Sequence, residues 1–253
     1  MARAVRHHNA AQTAGGEGIR RMRLTTVGVD ADDTLWHNET VFRLTQDRLA
    51  QLLAPYAERS ELEARLAEVE ARNLRFYGYG VKAFTLSMIE TALAFAGDAA
   101  GAVIREILAA GREMLTHPIE PLPGVEATLV RLAERYRLIV ITKGDLLDQE
   151  RKLAASGLGE LFSAVEIVSE KTDATYARVF DRHGTGAAEA AMVGNSLRSD
   201  VLPALAAGAF AAHIPYALTW AHEAGAPPVG HPRFAELPCF AEIPGWLERL
   251  SLY

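Results

Sequence analysis

Val27-Gly28-Val29-Asp30-Ala31-Asp32-Asp33-Thr34-Leu35-Trp36 is the stretch on which the reading of this chain turns. Its short apolar, β-branched run predicts a buried strand over about residues 25–30. The run ends in three carboxylates, Asp30, Asp32 and Asp33. Clustering negative charge at the end of a buried strand is costly, because desolvation and like-charge repulsion both oppose ionisation. Oxygen-rich carboxylate sites suit Mg²⁺, which would offset that cost. A carboxylate can also attack phosphorus as a covalent nucleophile.

The 253 residues suffice for one large domain, or a core with a smaller inserted module. A hydrophobic share of 49% and a charged share of 23% are those of an ordinary globular chain. The formal charge of −6 offers no electrostatic footprint for nucleic acid, so no such partner is expected. No apolar run has membrane-spanning length, and none follows the basic start at residues 1–8. Neither a membrane partner nor a secretory signal is therefore expected. Cys239 is the only cysteine, which excludes an intrachain disulfide and suits a reducing cytoplasm. The oligomeric state is unknown from sequence.

Residues 1–21 are polar and small, and are expected to be a disordered tail. Residues 38–117 carry only helical patterns. Asn38 is expected to cap a first helix holding Val41, Leu44, Leu49, Leu52 and Leu53. Leu62, Leu66, Val69 and Asn73 mark a second, and Phe84, Met88, Ile89 and Leu93 a third. Asp98 is expected to cap a fourth, containing Val103, Ile104, Ile107 and Leu108. Tyr77-Gly78-Tyr79-Gly80 reads as a turn within the block. After Pro118, Pro121 and Pro123 the pattern changes. Apolar runs at 138–142, 164–168, 190–193 and 210–214 alternate with helical segments near 128–135, 146–155, 174–180 and 201–206. Such alternation predicts βαβ units and a parallel sheet. The expected organisation is an α/β core, residues 22–37 and 118–253, interrupted by a helical insertion at 38–117.

Ligands of open α/β sheets bind beyond the carboxyl ends of the strands. The residues there are Asp30 and Asp32; Thr142, Lys143, Gly144 and Asp145; Ser169, Glu170 and Lys171; and Gly194, Asn195, Ser196 and Asp200. They supply the parts that phosphoryl transfer needs: a nucleophile, oxygen ligands for a metal, a positive clamp and hydrogen-bond donors.

These four segments resemble, in order, the four motifs of the haloacid dehalogenase-like (HAD) hydrolase superfamily. Asp30-Ala31-Asp32-Asp33-Thr34 is similar to its first motif, Asp-x-Asp-x-Thr. Thr142 stands where the second has Thr or Ser, and Lys171 matches the lysine of the third. Gly194 to Asp200 resembles the fourth, Gly-Asp, four residues, Asp. The helical block looks like the family's C1 cap. The resemblance implies a Rossmann-like HAD core and a Mg²⁺-dependent phosphatase acting on a small phosphorylated metabolite. It makes Asp30 the nucleophile, Asp32 the general acid and base, Thr142 a phosphate-oxygen contact and Lys171 the neutralising charge. It implies Mg²⁺ on Asp30, the backbone carbonyl of Asp32, Asn195 and Asp200, with Thr34 orienting the loop.

Asn195 departs from the family's usual Asp, which leaves Asp200 as the only fourth-motif charge and implies weaker Mg²⁺ affinity. Asp33, where many members have Gly, reads as a bystander or as a cap of the following segment. Dehalogenation of a 2-haloacid, phosphomutase chemistry and an inactive HAD-like binding protein are the alternatives. Dehalogenase relatives also carry an Asn in that region. Lys143 reads as a surface residue and Asp145 as a helix N-cap. His213 and His222 read as structural or surface residues, with no third metal ligand evident. Phe76, Tyr77 and Tyr79 either line a substrate pocket or pack at a turn. The charged run over 58–75 reads as a solvated helix face.

Overall fold

The computed structural model describes residues 23–250, so the expected tail at 1–21 lies outside the described residues. Its centre is a six-stranded, wholly parallel sheet: β1 (Thr26–Val29), β2 (Arg137–Lys143), β3 (Ala164–Val168), β4 (Ala190–Gly194), β5 (Phe210–His213) and β6 (Phe234–Glu236). The spatial order is β3-β2-β1-β4-β5-β6. From β1 the chain runs outward through β2 and β3, then returns to the other side of β1 and runs outward again. The connections leaving β1 and β4 therefore diverge, and a crevice opens between their carboxyl ends.

Both sheet faces are covered, which is why the strands read as nearly continuous apolar runs. Val27, Val29, Leu138, Val140, Ala191 and Val193 face one apolar layer with α5 (Val125–Ala133) and α9 (Ile243–Leu250). Ile139, Ile141, Ala190 and Met192 face the other, with Tyr176, Val179 and Phe180 of α7 (Asp173–His183). Gly28 points into that second layer. A Cβ there would lie 2.9 Å from Ile141 Cδ1 and 3.2 Å from Phe180 Cε1, so only glycine lets α7 sit this close to the sheet. The core is completed by α6 (Leu146–Ser156) and α8 (Leu202–Ala206). Two elements escaped the sequence reading. β6 is a three-residue edge strand, and the periodicity of α9 is masked by Pro244 and Gly245 in its first turn.

Between β1 and β2 lie α1 (Glu39–Leu53), α2 (Arg59–Tyr77), α3 (Val81–Ala96) and α4 (Ala100–Leu115). They bury a cluster of their own, with Leu49, Leu53, Leu62, Leu66, Phe84, Met88 and Ile107 inside. Leu44, Leu93 and Leu108, expected on the apolar faces, are instead exposed. Tyr79, in the turn joining α2 and α3, donates to Glu170 at 2.8 Å, and Lys82 meets Asp145 at 2.8 Å. These contacts tie the helical block to the loops after β3 and β2.

Helix starts differ from expectation in two places. Asn38 makes no capping bond at α1; its Oδ1 accepts from Lys152 at 2.8 Å. Asp33 caps α1 instead, accepting from the Asn38 and Glu39 amides at 2.8 and 3.0 Å. Asp98 lies in a 3₁₀ turn before α4 and caps nothing. Asp33 has φ 61°, the one positive value outside glycine among the described residues. Glycine would enter this left-handed region without strain.

Burial pushes the Asp33 carboxyl up to about 7, against the pull of the two amides it caps. The folded protein thus binds this proton more tightly than the unfolded chain does. Asp33 contributes most below its ordinary value of 3.8, and that contribution is lost as pH rises to about 7. Asp33→Asn keeps an acceptor and removes the charge, so it should be more stable than the parent at about pH 8 and not at about pH 3.5. Asp33→Ala should lose about 1–2 kcal/mol at about pH 5. Urea unfolding reads both, and equal midpoints for parent and Asn variant at the higher pH would contradict the assignment.

Candidate active site

The charged groups converge at the carboxyl ends of β1 to β4. The Asp30 amide donates to Val193 O at 2.9 Å, fastening the β1 loop to β4. Beside it, Lys171 Nζ lies 2.5 Å from Asp30 Oδ1 and 2.7 Å from Asp200 Oδ1. All three side chains are buried. Burial, and after it the Asp200 charge, raise the Asp30 carboxyl to about 7, while Lys171 pulls the other way. Burial works against the Lys171 ammonium, but Asp200 and Asp30 outweigh it and hold its pKa above the ordinary lysine value. Thr34 Oγ1 donates to Asp30 Oδ2 at 3.0 Å and accepts from the Asn195 amide at 3.1 Å. Thr34 thus orients two motif loops together.

Asp32 opens on the same cavity as Asp30. Its Oδ1 accepts from Trp36 Nε1 at 2.8 Å and Lys152 Nζ at 2.9 Å, and its Oδ2 from Gln149 Nε2 at 3.2 Å. Gln149 also donates to Thr142 Oγ1 at 2.7 Å. Gln149 and Lys152 stand one turn apart on α6, the helix after β2, and sequence reading missed both. Their three-residue spacing behind Thr142 was the available signal. Asp145 caps α6 by accepting from the Asp148 amide at 3.1 Å, as expected.

After β4 the chain enters a π-helical turn, Leu197–Val201, a distortion often found at functional sites. It folds Asp200 back over β4, where Oδ2 accepts from the Ser196 amide at 2.9 Å. Lys143, expected at the surface, is instead largely buried. It donates to Glu223 at 2.6 Å and to Ser199 at 2.9 Å, and lies over the Tyr79 ring. Glu223 also accepts from Ser196 and Ser199. Burial opposes its charge, but Lys143 and these hydroxyls hold its pKa below the usual value. Glu223 comes from a late loop without a recognisable motif. His213 Nε2 lies 3.0 Å from Asn195 O, supporting that loop from behind in a structural role.

Oxygen atoms gather where a cation would be expected. The Asn195 side-chain terminus lies 3.2 Å from Asp30 Oδ2 and 3.3 Å from Asp32 O. With the amide oxygen turned inward, acceptors face acceptors with no hydrogen between them. Spacings of about 3 Å suit neighbouring ligands of octahedral Mg²⁺ at about 2.1 Å. With the amide nitrogen inward, the same terminus donates to both oxygens instead. The donor set fits Mg²⁺: Asp30, the Asp32 carbonyl, the Asn195 amide oxygen and the charge of Asp200.

The family model for haloacid dehalogenase-like hydrolase matches residues 24–208. A haloacid dehalogenase-like family hydrolase from Xanthomonas campestris is 38% identical, with a TM-score of 0.81 over 96% of this chain and 95% of that one. A Bacillus subtilis protein described as a HAD-hydrolase bound to magnesium has 17% identity and a TM-score of 0.60, over 89% of this chain and 99% of that one. A 2-haloacid dehalogenase from Pseudomonas syringae pv. Tomato has 20% identity and a TM-score of 0.58, with the same coverage. The last two likenesses are of fold. A comparison with curated proteins returned no match.

Gly194 has no room for a side chain, since a Cβ would lie 2.1 Å from Asp200 Oδ2. Gly194→Ala should lower stability by about 1–3 kcal/mol. Turnover should fall further than the loss of folded protein explains, because Asp200 must leave Lys171. A folded variant with parental activity would show that this contact is dispensable.

Proposed function

The chain belongs to the haloacid dehalogenase-like hydrolase family, and on that premise we propose that it is a Mg²⁺-dependent phosphatase of a small phosphorylated metabolite. The observation that carries the reading is a second carboxylate, Asp32, positioned by three donors in the cavity that holds Asp30. Halide displacement from carbon has no use for an acid there.

Asp30 attacks phosphorus, forming an aspartyl-phosphate as the bond to the leaving oxygen breaks. Asp32 gives that oxygen its proton. Asp32, now a carboxylate, takes a proton from water, whose oxygen attacks phosphorus and releases the Asp30 carboxylate and phosphate. One carboxyl can serve both half-reactions because the second undoes the protonation change of the first. Lys171 offsets negative charge on Asp30 and the phosphoryl group, and Thr142 contacts a phosphoryl oxygen. Asp30, the Asp32 carbonyl, Asn195 and Asp200 would hold Mg²⁺, which would supply Lewis-acid charge that lets an anionic nucleophile meet an anionic phosphate. The helical block, residues 38–117, acts as a cap that excludes water while the aspartyl-phosphate forms.

Asn195 favours one second reading, displacement of halide from a 2-haloacid, since it is the neutral member of the metal set. Asp30→Asn should abolish phosphate release from a panel of phosphorylated metabolites, and chelation should do the same. Substantial release surviving either change would sink the phosphatase mechanism, and chloride release from 2-chloropropionate without Mg²⁺ would establish the second reading. Asn195→Asp adds a charged ligand and should lower the Mg²⁺ concentration for half-activation several-fold (on the order of one pK unit of interaction). An unchanged or higher value would remove Asn195 from the metal set.

A further inference from the structure

The cavity above Asp30 has a second end, built by three helices of the insertion. α1 lines it with Glu39 and Phe42, α2 with Glu70 and Asn73, and α3 with Phe84 and Ser87. The charged groups there are both carboxylates, and Gln46 of α1 adds an amide that can donate or accept. Glu70 has no hydrogen-bond or ion-pair partner among the described residues, although it lines the cavity and is substantially buried. Its neighbour Glu39 is buried at 7% exposure and pairs through Oε1 with Arg43, whose side chain is 51% exposed. Two carboxylates thus share one solvent-facing cation.

Asn73 adds an independent pointer to a ligand. It is 3% exposed, and its Nδ2 donates to Ser87 Oγ at 3.2 Å and Glu90 Oε1 at 3.0 Å. Ser87 Oγ already donates to Ala83 O, so the amide orientation follows from two acceptors. Asn73 Oδ1 is left without a protein partner. Among the described residues no fully buried side-chain polar atom lacks a partner, so this oxygen keeps accessible surface, and Asn73 lines the cavity.

We infer that the far end of the cavity recognises a protonated amine on the substrate, which makes the preferred substrates phosphate monoesters with an ammonium group distal to the phosphate. The inference rests on the phosphatase reading. An ammonium brings three donors and one positive charge. Glu70 and Asn73 Oδ1 accept from it, and Glu39 adds charge, while Phe42 and Phe84 wall the alkyl stem between the two ends. Burial first, and then the Glu39 charge, raise the Glu70 carboxyl to about 7, so an added cation relieves a strained pair of charges. A carboxylate or second phosphate at that position meets repulsion from Glu70 and Glu39.

The test uses linear aminoalkyl phosphates, propyl to hexyl, beside hydroxyalkyl and carboxyalkyl phosphates of the same lengths. Phosphate release is measured with Mg²⁺ for the parent, Glu70→Gln and Glu70→Lys, with p-nitrophenyl phosphate as a general substrate. At the best length, kcat/KM for the amine should exceed that for the alcohol by about tenfold or more, chiefly through KM. The ratio should collapse toward one in Glu70→Gln and shift toward the carboxyalkyl series in Glu70→Lys. Each ratio is internal to one protein, so a partly folded variant still gives a valid reading. Release from p-nitrophenyl phosphate with equal or lower kcat/KM for amines overturns this inference and leaves the phosphatase reading standing. An amine preference that Glu70→Gln leaves intact also overturns it. No release from any substrate overturns both.

Discussion

The placement of Lys171 between Asp30 and Asp200 is the interaction on which the rest of the site depends. The three side chains are buried, and an isolated ion at such depth costs several kcal/mol. Their mutual attraction offsets the cost only at short range, which requires the ends of β1, β3 and β4 to be held together. β1 does this by pairing with both β2 and β4, and the Asp30 amide extends that pairing by one residue to Val193 O. The sum of two carboxylates and one ammonium is still negative. A site with that net negative charge is suited to a divalent cation.

A second constraint follows from the insertion. The four helices bury their own apolar cluster and do not need the sheet for their packing. Their contacts with the core include Tyr79 with Glu170, Lys82 with Asp145, Lys143 over the Tyr79 ring, Asn38 with Lys152 and Leu115 O with Arg151. The cavity between block and sheet carries carboxylates on both walls. Its helical wall carries Glu70, Glu39 and the Asn73 amide.

Much of the core was legible because its signals are local. Short apolar runs marked β1 to β5 to within a residue or two, and Asp145 was recognisable as a cap because capping spans three residues. Errors arose where a local rule met a tertiary competitor. Asn38 looked like the cap of α1, but Lys152 takes its side chain and the strained Asp33 caps the helix from five residues upstream. Lys143 looked solvated, but the late loop bearing Glu223 folds over it. β6 and α9 were missed because a three-residue edge strand and a helix opening on Pro-Gly carry little periodicity.

By itself the sequence determined the architecture and which polar residues stand at the strand ends. Asp30, Asp32, Thr142, Lys171, Asn195 and Asp200 each follow an apolar run, and a parallel sheet brings all strand ends to one edge whatever the loops do. The tertiary structure alone decided which groups support those residues and what faces them. Gln149, Lys152 and Glu223 reach the site from a helix surface and a distant loop, and Glu70 reaches the cavity from a helix whose charge pattern reads as solvated. The physical reason is range. Strand periodicity and capping act over a few residues, whereas a cavity is a property of how separate helices pack, and a charge on a helix is solvated or buried according to what packs against it.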